Sequence, residues 1–152
     1  MDNKKIIELV KKIRVETGLG VMEIKSAVDE AEGNELKARE ILKEKGFQKA
    51  EKKADRETRQ GRVATYTHIT GKIGVMVELL CETDFVARNE EYLALTKDLC
   101  LQVAAMNPES SEALLEQDFI KDPSKKVSDL IKGLVAKFGE NIKLGKIARF
   151  EI

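Results

Sequence analysis

Apolar positions recur at helical spacing through the first 47 residues. Ile6, Leu9, Val10 and Ile13 fall at i, i+3, i+4 and i+7, so one face of a first helix is apolar. Thr17-Gly18-Leu19-Gly20 interrupts it, with glycine free to take positive φ. Ile24, Ala27, Val28 and Ala31 repeat the spacing, and Gly33-Asn34 ends this second helix and supplies an N-cap for the next. Ala38, Ile41 and Leu42 line a third helix, expected to stop at Gly46. Residues 1–47 therefore read as a small three-helix bundle with a thin core.

Residues 48–60, QKAEKKADRETRQ, hold only Ala50 and Ala54 as apolar side chains. They are helical by propensity but lack a face to bury, and Asp55 and Arg59 stand at i, i+4. An exposed connecting helix between two units fits. A basic nucleic-acid arm fits less well, because three acids sit among the six Lys and Arg of residues 48–62.

The period then changes to two. Val63, Thr65, Thr67 and Ile69 alternate with Arg62, Tyr66 and His68, and beyond Thr70-Gly71-Lys72 a second run places Ile73, Val75, Val77, Leu79 and Cys81 on one face. Two strands about a glycine turn make a hairpin. At Thr83 the helical period returns: Thr83 is a candidate N-cap with Asp84 in the first turn, and Tyr92, Leu95, Leu99, Val103 and Met106 continue the stripe to Asn107-Pro108. Residues 109–122 read as a loop with a short helix at 112–116. Asp122-Pro123-Ser124 is expected to start another helix, with Val127, Leu130, Ile131, Leu134 and Phe138 on its apolar face and Gly139 at its end. Ile142 to Ile152 alternates as a final strand with an irregularity near Gly145. Residues 61–152 thus form an α+β unit, a small antiparallel sheet of about three strands packed with two helices.

Composition narrows the function. Lys+Arg and Asp+Glu are both 27, giving net charge +0, and residues 1–60 carry 15 basic and 13 acidic groups. Neither half is a basic block, and aromatics are only 5% without Trp, so direct nucleic-acid binding is not expected. No apolar run approaches the roughly 18 residues of a membrane span. Met1-Asp2-Asn3-Lys4-Lys5 lacks a signal-peptide stretch. Cys81 and Cys100 form no CxxC, which suits two free thiols in a reducing cytoplasm.

Catalytic devices are scarce. His68 is the only histidine, so a multi-His metal site is impossible. Gly18-Leu19-Gly20 follows a helix rather than a strand, a weak phosphate-loop candidate, and no cofactor motif is present. Glu78, Glu82 and Asp84 read either as an acid/base cluster or, more simply, as a cap with two solvated acids. Asp84-Phe85-Val86 places an aromatic in a first helical turn directly after a strand, a rigid corner for presenting side chains. Spacing alone favours a core place for Phe85 over a projecting one.

Four segments in order change that balance: Thr17-Gly18-Leu19-Gly20-Val21-Met22-Glu23-Ile24-Lys25, the KKADRE stretch within residues 49–59, Cys81-Glu82-Thr83-Asp84-Phe85-Val86-Ala87-Arg88-Asn89, and Lys137-Phe138-Gly139-Glu140-Asn141-Ile142. Together they span nearly the whole chain and resemble the elongation factor Ts family, in its compact type with a single core subdomain. The resemblance implies a guanine-nucleotide exchange factor for elongation factor Tu, without covalent chemistry, cofactor or metal of its own. It implies that residues 1–47 form a bundle like a ubiquitin-associated domain, docking on the partner through Arg14, Val21 and Met22. It further implies that Thr83, Asp84, Phe85 and Val86 reach the partner's magnesium site, where Phe85 wedges between helices and lets GDP leave. Phe138 and Gly139 would lie near the same contact. Val21 and Ser26 stand where many members carry Met and Lys. An adaptor binding ubiquitin-like or peptide partners is the alternative, and a carboxylate enzyme using Asp84 and Glu78 ranks below it. A homodimer through the sheet is expected from both the resemblance and the strand pattern, with Met76, Leu80, Tyr66 and Ile147 on a face that the two helices leave uncovered.

Overall fold

A computed structural model describes residues 3–152; Met1 and Asp2, part of the N-terminal stretch inspected for a targeting signal, lie outside the described residues. Helices α1 (Asn3–Thr17), α2 (Val21–Glu30) and α3 (Glu35–Lys53) come first. Ile13, Ile24, Ala27, Val28, Ala38 and Leu42 close their shared core, as the 3.6-residue spacing predicts. Gly33, at φ 79°, ends α2, and Asn34 Oδ1 accepts the Lys37 amide at 3.1 Å.

Helix α3 does not stop at Gly46 but runs through it to Lys53. Glycine here serves close approach rather than termination: it is buried, and a Cβ on it would stand 3.1 Å from the Ala136 Cβ. The second half of α3 has a face to bury after all, because Ala50 joins the core of the α+β unit. Residues 54–59, all non-helical, separate α3 from the sheet, so residues 48–60 hold no helix apart from the end of α3. With that stretch unwound, Asp55 and Arg59 lose their i, i+4 relation, and Arg59 pairs with Glu57 at 2.8 Å instead.

Strands β1 (Gln60–Thr67), β2 (Ile73–Cys81) and β5 (Ile142–Glu151) form one antiparallel sheet in the order β1-β2-β5. Val75, Val77, Leu79 and Cys81 bury one face of the central strand beneath Tyr92, Leu95, Leu99 and Val103. The ladder between β2 and β5 shifts register between Val77 and Leu79, the irregularity expected near Gly145. This extra residue reverses the alternation of β5, so Leu144 and Ile147 both face the core. Tyr66 pairs with Val75 and faces the same way. Tyr66 and Ile147 therefore leave the outer face predicted for them, and Val63, Met76, Leu80, Ala148 and Phe150 occupy it.

Two further boundaries differ from the sequence reading. The helix expected to run unbroken from Thr83 is two, α4 (Asp84–Ala87) and α5 (Glu90–Met106), because Asn89 Oδ1 caps a fresh start on the Glu91 amide at 2.8 Å. After α6 (Ser111–Glu116), strand β3 (Asp118–Phe119) pairs with β4 (Asp122–Lys126), and α7 (Val127–Phe138) starts only at Val127. Asp122 Oδ1 turns back onto the Ser124 amide at 3.2 Å, a local bond that competes with helix. Buried Gln102 ties down this hairpin, donating to the Gln117 side chain and the Asp118 carbonyl and accepting from the Ile120 amide. The whole is α+β: N-terminal helices, then a three-stranded antiparallel sheet covered by helices on one face.

Candidate functional site

Strand β2 delivers the chain into Glu82-Thr83, and α4 turns away at once. Two crossed carboxylates hold this corner. Glu140 accepts the Thr83 amide at 3.0 Å through Oε2 and the Thr83 hydroxyl at 2.5 Å through Oε1. Glu82 Oε1 in return accepts the Asn141 amide at 2.7 Å and lies 3.6 Å from the Arg56 guanidinium. Asn141, itself buried, donates through Nδ2 to the carbonyls of Ala54 at 3.2 Å and Arg56 at 2.7 Å. The exit of β2, the entry to β5 and the end of α3 are thereby fastened together.

Thr83 occupies the N-cap position of α4, but its hydroxyl caps nothing: it donates to Glu140. Val86 and Ala87 are buried and anchor the single turn. Phe85 points the other way and is 85% exposed, so the corner presents an aromatic to solvent rather than to the core. Asp84 is half exposed and pairs with Arg88 at 3.0 Å. Of Thr83, Asp84, Phe85 and Val86, only Asp84 and Phe85 face outward, while Thr83 and Val86 hold the turn.

A second apolar prominence lies at the other glycine turn. Met22 is 76% exposed in the first turn of α2, with Val21 beside it and Arg14 exposed near the end of α1. Val15, next to Arg14, is more exposed still, and periodicity passed it over because it falls off the apolar stripe. Thr17 Oγ1 donates to the Ile13 carbonyl at 2.7 Å and accepts the Leu19 amide, fixing the turn. Gly18, at φ 67°, lies against Lys137: a Cβ there would be 2.5 Å from Lys137 Cε. Lys137 also pairs with Glu91 in the first turn of α5. The last turn of α7 therefore links the glycine turn before Met22 to the start of α5. Phe138 is half-buried against the core, and Gly139, at φ 71°, closes α7 in the left-handed conformation that turns Glu140 towards Thr83.

The remaining thiols, phenol and carboxylates of this region are buried or partnered. Burial pushes the Cys100 thiol up to about 11 and raises Cys81, whose Sγ donates to the Thr83 carbonyl at 3.1 Å. Desolvation likewise raises the Tyr92 phenol, which donates to the Leu79 carbonyl. His68 Nδ1 lies 3.0 Å from Tyr66 Oη. Glu78, Glu82 and Asp84 each have their own partner, Lys146, Asn141 and Arg88 respectively. Among the described residues no group of three or more His, Cys, Asp or Glu is placed to hold a metal, and no helix is long and apolar enough to cross a membrane.

A family model described as Elongation factor TS matches residues 82–152, the segment that contains the Phe85 corner and its clamp. Elongation factor Ts of Oleidesulfovibrio alaskensis is 38% identical over 189 residues, covering 95% of this chain and 96% of the relative. Elongation factor Ts of Thermodesulfovibrio yellowstonii is 39% identical, covering 95% of this chain and 94% of the relative. That of Thermotoga neapolitana is also 39% identical and covers 96% of both. The aligned span exceeds the 152 residues of this chain, so these relatives carry residues within it that this chain lacks. With three relatives at 38–39% identity, each covering 95% or more of this chain, the chain belongs to the elongation factor Ts family.

Proposed function

We propose that this chain is a guanine-nucleotide exchange factor that binds elongation factor Tu with GDP bound, promotes GDP release and so allows GTP to load. The single observation that carries the reading is Phe85, 85% exposed on a corner clamped from behind. An isolated monomer gains nothing from an exposed aromatic at a rigid site, whereas a partner that buries it gains about 1.5–3 kcal/mol.

Guanine nucleotides are held chiefly through Mg²⁺ and backbone amides on their phosphates. A wedge that displaces those groups needs no bond-making chemistry, in keeping with the engaged carboxylates and buried thiols. By linkage, the factor weakens GDP binding by the same factor as GDP weakens binding of the factor. Phe85 and Asp84 act at the nucleotide end of the partner, with Thr83 and Val86 holding them in place. Met22, Val21 and Arg14 form a separate docking edge on a bundle like a ubiquitin-associated domain. The setting is the cytoplasm. The outer sheet face, with Met76, Leu80 and Phe150, pairs with a second copy in a homodimer.

The test is release of a fluorescent GDP analogue from elongation factor Tu at increasing concentrations of this chain. Acceleration that saturates supports exchange. A release rate unchanged at any concentration refutes it.

A further inference from the structure

We infer that Glu140 is a positioning residue for exchange: by gripping both the amide and the hydroxyl of Thr83, it fixes the corner from which Phe85 projects and so sets the maximal rate of GDP release. This rests on the exchange reading proposed above.

Helix α4 is four residues long, too short to hold its own direction, since a single helical turn costs more to nucleate than its bonds return. Its Thr83 hydroxyl, the group that would ordinarily cap it, is diverted to Glu140. The orientation of the turn is therefore imposed from outside, by a carboxylate 57 residues away in sequence. Buried Val86 fixes one side of the turn and Glu140 fixes its origin, leaving Phe85 little freedom except its own rotamers.

The clamp is reciprocal. Glu140 takes the backbone amide of residue 83, and Glu82 takes the backbone amide of residue 141, so neither segment slides past the other without breaking both bonds. Both are charge-assisted hydrogen bonds, the stronger kind. Gly139 makes the geometry possible, because its left-handed φ of 71° ends α7 just before Glu140. The Lys137–Asn141 stretch thus acts from behind the exchange turn, and Glu140 is half-buried beneath it. A wedge must meet its target to within a fraction of an ångström, so freeing its base lowers the rate of displacement more than the strength of docking, which the Met22 edge supplies.

The experiment compares stimulated GDP release by the wild-type chain, Glu140→Ala, Glu140→Gln and Thr83→Ala. In Glu140→Ala the plateau rate should fall by about tenfold to a hundredfold, while the half-saturating concentration stays within about threefold of wild type. Glu140→Gln keeps an acceptor for the Thr83 amide and an NH₂ that can donate to the hydroxyl, so it should recover most of the plateau. Thr83→Ala removes only the hydroxyl half of the grip, so its plateau should fall less than that of Glu140→Ala, and Glu140→Ala should lower it further in the Thr83→Ala background by releasing the amide. Amide hydrogen exchange on the free chain gives a readout independent of elongation factor Tu, and also applies if one variant is poorly folded. Protection should fall at the amides of residues 83, 87 and 88 in Glu140→Ala, and at 87 and 88 in Thr83→Ala, with the α1–α3 core unchanged.

A plateau in Glu140→Ala within twofold of wild type, when wild type itself accelerates release, would overturn the inference. So would a raised half-saturating concentration with an intact plateau, which would make Glu140 a docking residue. Absence of acceleration by wild type refutes the exchange reading instead. In that case, unaltered protection at the amides of residues 83, 87 and 88 in Glu140→Ala would also overturn the positioning of the turn by Glu140.

Discussion

Gly46 of α3 and Ala136 of α7 meet so closely that a Cβ on the glycine would stand 3.1 Å from the Ala136 Cβ. This contact joins the bundle to the α+β unit and sets how the Met22 turn stands relative to the Phe85 corner. A large side chain cannot enter it without moving a helix. Gly46→Leu should cost about 1–3 kcal/mol from overpacking, despite leucine's better helix propensity. Urea unfolding measures the loss, and stability equal to wild type would show that the two helices separate freely.

Phe85→Ala should remove most of the stimulated GDP release and leave stability within about 0.5 kcal/mol of wild type, as expected of an exposed side chain. A core phenylalanine would instead cost about 3–5 kcal/mol. Thermal unfolding and release kinetics on the same preparation separate the two outcomes.

Met22→Asp combined with Arg14→Ala should weaken binding to nucleotide-free elongation factor Tu by about tenfold or more, since a charge placed in an apolar contact is costly. Both residues are exposed, so folding should be unaffected. Calorimetric titration tests this, and unchanged affinity would mean that the bundle docks by another face.

Among the described residues no helix packs on the outer face of the sheet, which carries Met76, Leu80, Ala148 and Phe150, and Phe150 is 77% exposed. Sedimentation at micromolar concentration should give twice 17.0 kDa, and Met76→Lys with Phe150→Lys should return the chain to monomer. A wild-type mass of 17.0 kDa would rule the dimer out.

Alkaline pH should destabilise the fold through Cys100. Burial raises its thiol from the ordinary 9.0 to about 11, so the folded chain keeps a proton that the unfolded chain loses. The stabilisation is complete below pH 9 and is lost as pH rises to about 11, amounting to about 3 kcal/mol. Cys81, also raised, acts with the same sign. Chemical unfolding from pH 8 to 11 should show a shallower decline in Cys100→Ala than in wild type; parallel declines would refute the assignment.

Much of this architecture is local, and local features are legible in a sequence. The 3.6-residue stripes that close on Ile13, Ile24 and Val28, the Gly33-Asn34 break, the hairpin and the left-handed Gly139 all follow from periodicity and capping within a few residues. The Phe85 corner is visible as a motif, but its spacing alone points Phe85 to the core, and only the family resemblance turns it outward. Tertiary structure decided the rest. Gly46 is compatible both with a helix stop and with close packing, and only the presence of Ala136 selects the second. Tyr66 and Ile147 owe their face to strand register and to a bulge, which a single strand's alternation does not reveal. The grip of Glu140 on Thr83 spans 57 residues and leaves no periodic trace, because a hydrogen bond depends on where two segments meet in space and not on their spacing along the chain.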